Sequence, residues 1–149
     1  VSRKDAADLL GTFDLLASPG HLLRRNHQRS LDIFTRLVGS DVTRLQVAVL
    51  VVLNRYPGAS QRDLVEATGV DKSTLKEMLN RMVTRGWVQR ERDPGDSRAW
   101  AMQLTDEGQK LLLERIEQVA AAQREILAPL QPSEQAAFMR YMRLLLELE

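Results

Sequence analysis

Apolar residues recur at helical spacing along most of this chain, and the period breaks where Gly, Pro, Ser and Asp cluster. The clearest case is VDKSTLKEMLNRMVTRG, residues 70–86. Leu75, Met78, Leu79, Met82 and Val83 share one face of a helix, Asp71 is placed to cap its first turn, and Gly86 closes it. The opposite face carries Ser73, Glu77, Asn80 and Thr84, flanked by Thr74, Lys76 and Arg81. Ahead of it, ASQRDLVEATGV predicts a shorter helix. Ser60 and Asp63 cap that helix, Leu64, Val65 and Ala67 form its buried side, and Gly69 ends it. Two short helices joined through a glycine turn read as helix-turn-helix, the second helix presenting its N-terminal residues to base edges.

After Gly86 the period changes to two. Trp87 and Val88 open one strand-like run, Pro94-Gly95 marks a turn, and Ala99 to Leu104 forms a second run. This is a hairpin, or wing. Arg90 and Arg92 lie on its first arm, Arg98 follows its tip, and Asp96 stands two residues away, near enough to hold the Arg98 guanidinium. An arginine on a thin hairpin suits a narrow, negative minor groove.

The remaining segments are helical. Residues 3–17 read as one short amphipathic helix carrying Leu9, Leu10, Phe13, Leu15 and Leu16, broken by Ser18-Pro19-Gly20. It is either an extra packing helix near a dimer interface or a frayed arm. Residues 21–38 form the next helix, with Leu22, Leu23, Leu31, Ile33, Phe34, Leu37 and Val38 on a wide apolar face. Thr43 and Gln46 make a capping box for a helix that is apolar nearly all round from Val47 to Leu53, which predicts burial at the centre. Thr105 caps a long helix with its seam at Leu112, Ile116, Val119 and Ile126. A last helix carries Phe138, Tyr141, Met142, Leu145 and Leu148. A small winged lobe cannot cover both of these helices. The expectation is a two-fold interface with a second copy; an intrachain bundle is the alternative. The fold class is therefore mainly α with a small β-hairpin wing, in a single domain over 1–149. A winged helix-turn-helix lobe spans about 41–105, and a helical dimerisation region spans about 1–40 and 106–149.

Taken together, these motifs resemble the MarR family of winged-helix regulators. The resemblance rests on Thr43-Arg44-Leu45-Gln46, Ser60-Gln61-Arg62-Asp63-Leu64 and Asp71-Lys72-Ser73-Thr74-Leu75. It continues through Arg85-Gly86-Trp87-Val88, Arg92-Asp93-Pro94, Asp96-Ser97-Arg98 and Leu104-Thr105-Asp106-Glu107-Gly108. It implies a homodimer that binds double-stranded DNA at a pseudo-palindromic operator, commonly as a repressor, with affinity lowered by a small ligand. The DNA-binding candidates are Ser60, Gln61, Arg62, Ser73, Thr74, Lys76, Glu77, Asn80, Arg81, Arg90, Arg92, Asp96 and Arg98. Asn80 suits an adenine edge; Glu77 suits either a cytosine amine or an i,i+4 pair with Arg81. The chain departs from the family at Lys76 and Glu77, where a hydroxyl residue followed by a basic one is usual.

Composition narrows the alternatives. The net charge of +1 is nearly neutral, so DNA affinity has to come from a local basic stripe. There is no cysteine, which removes disulfides and thiol redox sensing and separates the chain from the peroxide-sensing branch of the family. Two histidines and no Gly-rich phosphate loop argue against an enzyme; no cofactor or metal is expected. No apolar run reaches the roughly 18 residues of a membrane span, and a cytoplasmic location is expected. A winged helix used only for protein–protein contact is the competing class, and the basic residues on both helix and wing argue against it.

Asn26, His27 and Ser30 interrupt the apolar sector of residues 21–38. Polar groups there either line a cavity that holds a ligand or bond a neighbouring helix or partner subunit. Arg24, Arg25 and Arg29 on the same helix read as a solvated face or as an anion site. Some relatives with a similar His-Leu-Leu-Arg-Arg-like helix regulate aromatic-acid degradation, and that resemblance implies an aromatic acid or its coenzyme A thioester as effector.

Overall fold

The computed structural model describes residues 2–92, 95 and 100–148. Its elements run α1 (Arg3–Thr12), a short 3-10 turn (Leu15–Ala17), α2 (Pro19–Val38), α3 (Arg44–Arg55), α4 (Gln61–Thr68), α5 (Lys72–Thr84), β1 (Val88–Arg92), β2 (Trp100–Leu104), α6 (Asp106–Leu127) and α7 (Pro132–Leu145). It is a mainly helical fold with a two-stranded antiparallel hairpin, as the sequence predicts.

The caps sit where the side chains dictate. Thr43 Oγ1 accepts the Gln46 N–H at 3.1 Å, and Gln46 Oε1 accepts the Thr43 N–H at 2.9 Å. Ser60 and Asp63 make the same reciprocal pair at 3.2 and 2.8 Å. These boxes fix the first turns of α3 and α4 by satisfying donors that no helix can satisfy internally.

The main core joins α3, α4, α5, the wing and the start of α6 through Leu50, Leu53, Leu64, Leu79, Met82 and Leu112. A second cluster of Phe34, Val38, Val42 and Val47 ties α2 to α3. The start of α6 lies hard against the wing's root. A Cβ on Gly108 would stand 2.0 Å from the Trp87 carbonyl oxygen, so only glycine fits there.

Four expectations change. Residues 3–17 are not one helix: the chain extends at Phe13, and Asp14 caps a separate turn by accepting the Leu16 N–H. Ser18 breaks the chain, but Pro19 and Gly20 open α2, because proline's fixed φ and missing N–H suit a first helical position. Ala67 is exposed, because α4 buries a narrow stripe centred on Leu64. Val51 is 40% exposed, so α3 keeps one solvent-facing edge.

The wing is joined by a third segment. Gly58 N–H donates to the Met102 carbonyl at 2.9 Å, Met102 N–H donates to the Ala59 carbonyl at 3.0 Å, and Ser60 bridges Ala101. This backbone pairing docks the start of α4 onto β2. Met102 is consequently buried, whereas Trp100, nearer the hairpin tip, is 43% exposed.

Within one chain α6 packs along α2 and buries Leu112 and Ala122, whereas neither α1 nor α7 contains a buried residue. Leu10 is 77% and Leu145 71% exposed. Among the described residues, no helix is long and apolar enough to cross a membrane.

Candidate nucleic-acid interface and effector cavity

The outer face of α5 is built over a fixed inner stripe. Leu75, Met78, Leu79 and Met82 are buried, and Ser73, Thr74, Lys76, Glu77, Asn80 and Arg81 are all exposed. At the helix start, Asp71 Oδ1 accepts the Ser73 hydroxyl at 2.7 Å and the Thr74 N–H at 2.9 Å. Those bonds hold the Asp71 carboxyl well below the usual carboxylate range, so it stays an anion facing the helix dipole. Because the Ser73 proton is donated to Asp71, Ser73 turns acceptor lone pairs outward.

Further along, Glu77 pairs with Arg81 one turn away. The carboxylate therefore orients the guanidinium, the second of the two roles its position allowed. Asn80 Oδ1 accepts from Arg90 Nη2 on β1. Bidentate pairing of Asn80 with an adenine would share or exchange that bond. Arg92 stacks over Trp100, its partner across the hairpin, with 4.1 Å from guanidinium carbon to ring centroid. Asp96 and Arg98 lie outside the described residues.

The α4 residues divide between bracing and exposure. Gln61 Nε2 donates to the Lys72 carbonyl at 3.2 Å, locking the two helices of the motif together. Ser60 serves the cap. Asp63 is held below its ordinary value by the Ser60 hydroxyl and then by the Ser60 N–H. Arg62 is exposed.

A cavity of about 520 Å³ lies between α2, the end of α6 and α7. Asn26, His27, Arg29 and Ser30 supply its polar wall, and Leu23, Ile126, Leu130, Phe138 and Met142 supply much of its apolar wall. That volume and mixture suit a small organic ligand. Arg24 and Arg25 are exposed outside it. Arg29 Nη1 donates to the Ile126 carbonyl at 3.1 Å, and Asn26 Nδ2 donates to the Leu22 carbonyl of its own helix at 3.0 Å.

The family model for MarR matches residues 40–99. The transcriptional regulator HosA of Escherichia coli O111:H- is 42% identical over 103 residues, covering 69% of this chain and 76% of HosA. The chain belongs to the MarR family.

Solved MarR-type folds superpose on nearly its whole length. The PcaV transcriptional regulator from Streptomyces coelicolor, in complex with its natural ligand, aligns with a TM-score of 0.87 at 36% identity, over 91% of this chain and 96% of PcaV. BpsR of Bordetella bronchiseptica, studied for regulation of its DNA binding by 6-hydroxynicotinic acid, aligns at 0.85 and 29% identity, over 89% and 96%. The repressor CouR, bound to a 23-mer DNA duplex, aligns at 0.81 and 26%, over 88% and 94%.

In this MarR-family chain the sequence reading missed the residue that braces two of the cavity's polar wall residues. Arg44, on the first turn of α3, donates from Nη1 to Ser30 Oγ at 2.7 Å, and its Nη2 lies 3.3 Å from His27 Nδ1. The available signal was a cation at the start of a helix, where the dipole disfavours positive charge.

Proposed function

We propose that this protein is a cytoplasmic, ligand-responsive repressor that binds a pseudo-palindromic operator in double-stranded DNA as a homodimer. The observation that carries the reading is the outer face of α5: short polar and cationic side chains, all exposed, over a buried stripe that prevents the helix from rolling. Ser73, Thr74, Lys76, Asn80 and Arg81 read the major groove; Glu77 sets Arg81. Arg62, Arg90, Arg92 and Arg98 serve the backbone and minor groove, Arg98 on the strength of its place in the sequence beside Asp96. Ser60 and Gln61 act through position, as cap and brace.

Support for the dimer comes from α1 and α7, where one chain leaves Leu9, Leu10, Met139, Tyr141, Leu144 and Leu145 exposed. A second copy covering them would set two recognition helices about one duplex turn apart, roughly 34–36 Å. The DNA duplex bound by CouR supports the DNA reading.

The effector belongs in the cavity at Asn26, His27, Arg29 and Ser30. An aromatic acid fits its apolar walls and polar corner better than a coenzyme A thioester, most of whose length would remain outside. The ligands of PcaV and BpsR support a small-molecule effector. Arg24 and Arg25 reach such a ligand only if the partner subunit presents them. Gel-shift of the protein's own upstream region, with and without aromatic acids, tests the reading. A specific shift that an acid reverses is expected. Absence of a specific shift contradicts the DNA reading, and a shift that no acid reverses contradicts the effector class.

A further inference from the structure

One guanidinium bridges the polar wall of the cavity to the first turn of α3. Arg44 is the first residue of α3, and α3 carries the core leucines, Leu50 and Leu53, on which α4 and α5 are packed. Its side chain crosses to α2, where Nη1 donates to Ser30 Oγ at 2.7 Å and Nη2 approaches His27 Nδ1 at 3.3 Å. Ser30 Oγ in turn donates to the His27 carbonyl at 2.8 Å. Both side chains contacted by Arg44 line the cavity.

The chemistry fixes the direction of each bond. A guanidinium has donors only, so His27 Nδ1 is the acceptor and the ring proton sits on Nε2. The Ser30 proton is spent on a backbone carbonyl, so Ser30 meets Arg44 with a lone pair. Both acceptors are neutral. A carboxylate seated in the cavity would offer two charged oxygens to the same fork, and a bidentate ion pair adds charge neutralisation and a fixed geometry that two separate neutral acceptors do not supply.

We propose that Arg44 is the positioning residue through which an occupied cavity acts on the winged lobe. This rests on the effector reading above. With the cavity empty, the guanidinium holds the start of α3 to α2. An aromatic carboxylate draws the fork away from Ser30 and His27, and the first turn of α3 moves with it. The displacement favours release because the acid binds the displaced arrangement more tightly than the DNA-bound one.

The test measures coupling, which separates a transmitter from a mere contact. Operator affinity is measured with and without 6-hydroxynicotinic acid or 4-hydroxybenzoic acid, at concentrations that calorimetry shows to saturate each protein. In the wild-type chain the acid should lower operator affinity on the order of 5- to 150-fold. Arg44→Gln should keep acid-free operator affinity within about threefold of wild type, while the ratio falls to within about twofold of unity, well below that range. Arg44→Lys, a point charge without the fork, should lie between them. If Arg44→Gln does not fold, Ser30→Ala removes the Nη1 acceptor while leaving α3 intact, and should also lower the ratio. A folded, saturated Arg44→Gln or Ser30→Ala with the wild-type ratio overturns the role of Arg44. A wild-type chain that neither acid releases overturns the effector reading beneath it.

Discussion

Arg90 on the first wing strand donates from Nη2 to Asn80 Oδ1 on the recognition helix, so two candidate DNA-contacting residues are bonded to each other. The bond joins the wing and α5 into one surface, which on the proposed function meets DNA as a unit. Asn80→Ala and Arg90→Ala should therefore be non-additive in operator binding, with a coupling energy of about 0.5–3 kcal/mol in a double-mutant cycle. Additive effects would show that the two residues act separately.

Glu77 places a carboxylate on the exposed face of α5, the proposed DNA face, and ties down Arg81. Its removal takes a negative charge from the surface and releases a cation. Glu77→Gln should strengthen binding to random-sequence DNA and steepen the salt dependence by up to about 0.9 in log–log slope, the equivalent of one phosphate contact. Fluorescence anisotropy at several salt concentrations reads both. An unchanged slope would mean that Arg81 does not reach phosphate.

Gly108 is required by contact rather than by φ. An added Cβ would meet the Trp87 carbonyl oxygen at 2.0 Å, and both partners are backbone. Gly108→Ala should cost about 1–3 kcal/mol of stability as an overpacked site, visible as a lower denaturant midpoint. An undiminished midpoint would show that α6 can shift off the wing.

The two acidic caps of the helix-turn-helix set an acid limit on its stability. The carboxyls of Asp63 and Asp71 are held below their ordinary 3.8 by hydrogen bonds from Ser60, and from Ser73 and Thr74. A depressed folded value contributes stability that is complete above the unfolded value and lost as pH falls through the folded one. These groups should leave thermal stability flat from pH 5 to 8, about a unit or more above 3.8, and erode it below about pH 4. Asp71→Ala should lower the midpoint at neutral pH and shrink the acid-side loss. A variant with the full acid-side loss would show that other carboxylates cause it.

What could be read from the sequence was local. Thr43 with Gln46, Ser60 with Asp63, and the Leu75–Met82 stripe act within a turn or two, and their structural roles are those their spacing predicts. The pairing of Gly58–Ser60 with β2 was not legible, because so short a segment has no alternation to detect. The polar wall of the cavity was half legible. Asn26, His27 and Ser30 stood out against an apolar sector, but their identity as wall residues depends on the end of α6 and on α7, about a hundred residues away. The anion reading involved three arginines of α2, and within one chain only Arg29 lines the cavity. Arg24 and Arg25 share the helix with the cavity yet stand outside it, whereas Arg44 reaches the wall from a different helix.

The central claim is that two copies of this chain read one operator. Light scattering on the complex formed with a duplex from its own upstream region, separated by size exclusion, tests it most directly. The account predicts two chains per duplex, formed in preference to random DNA of equal length. A single chain on the duplex, or equal binding to both duplexes, would contradict it.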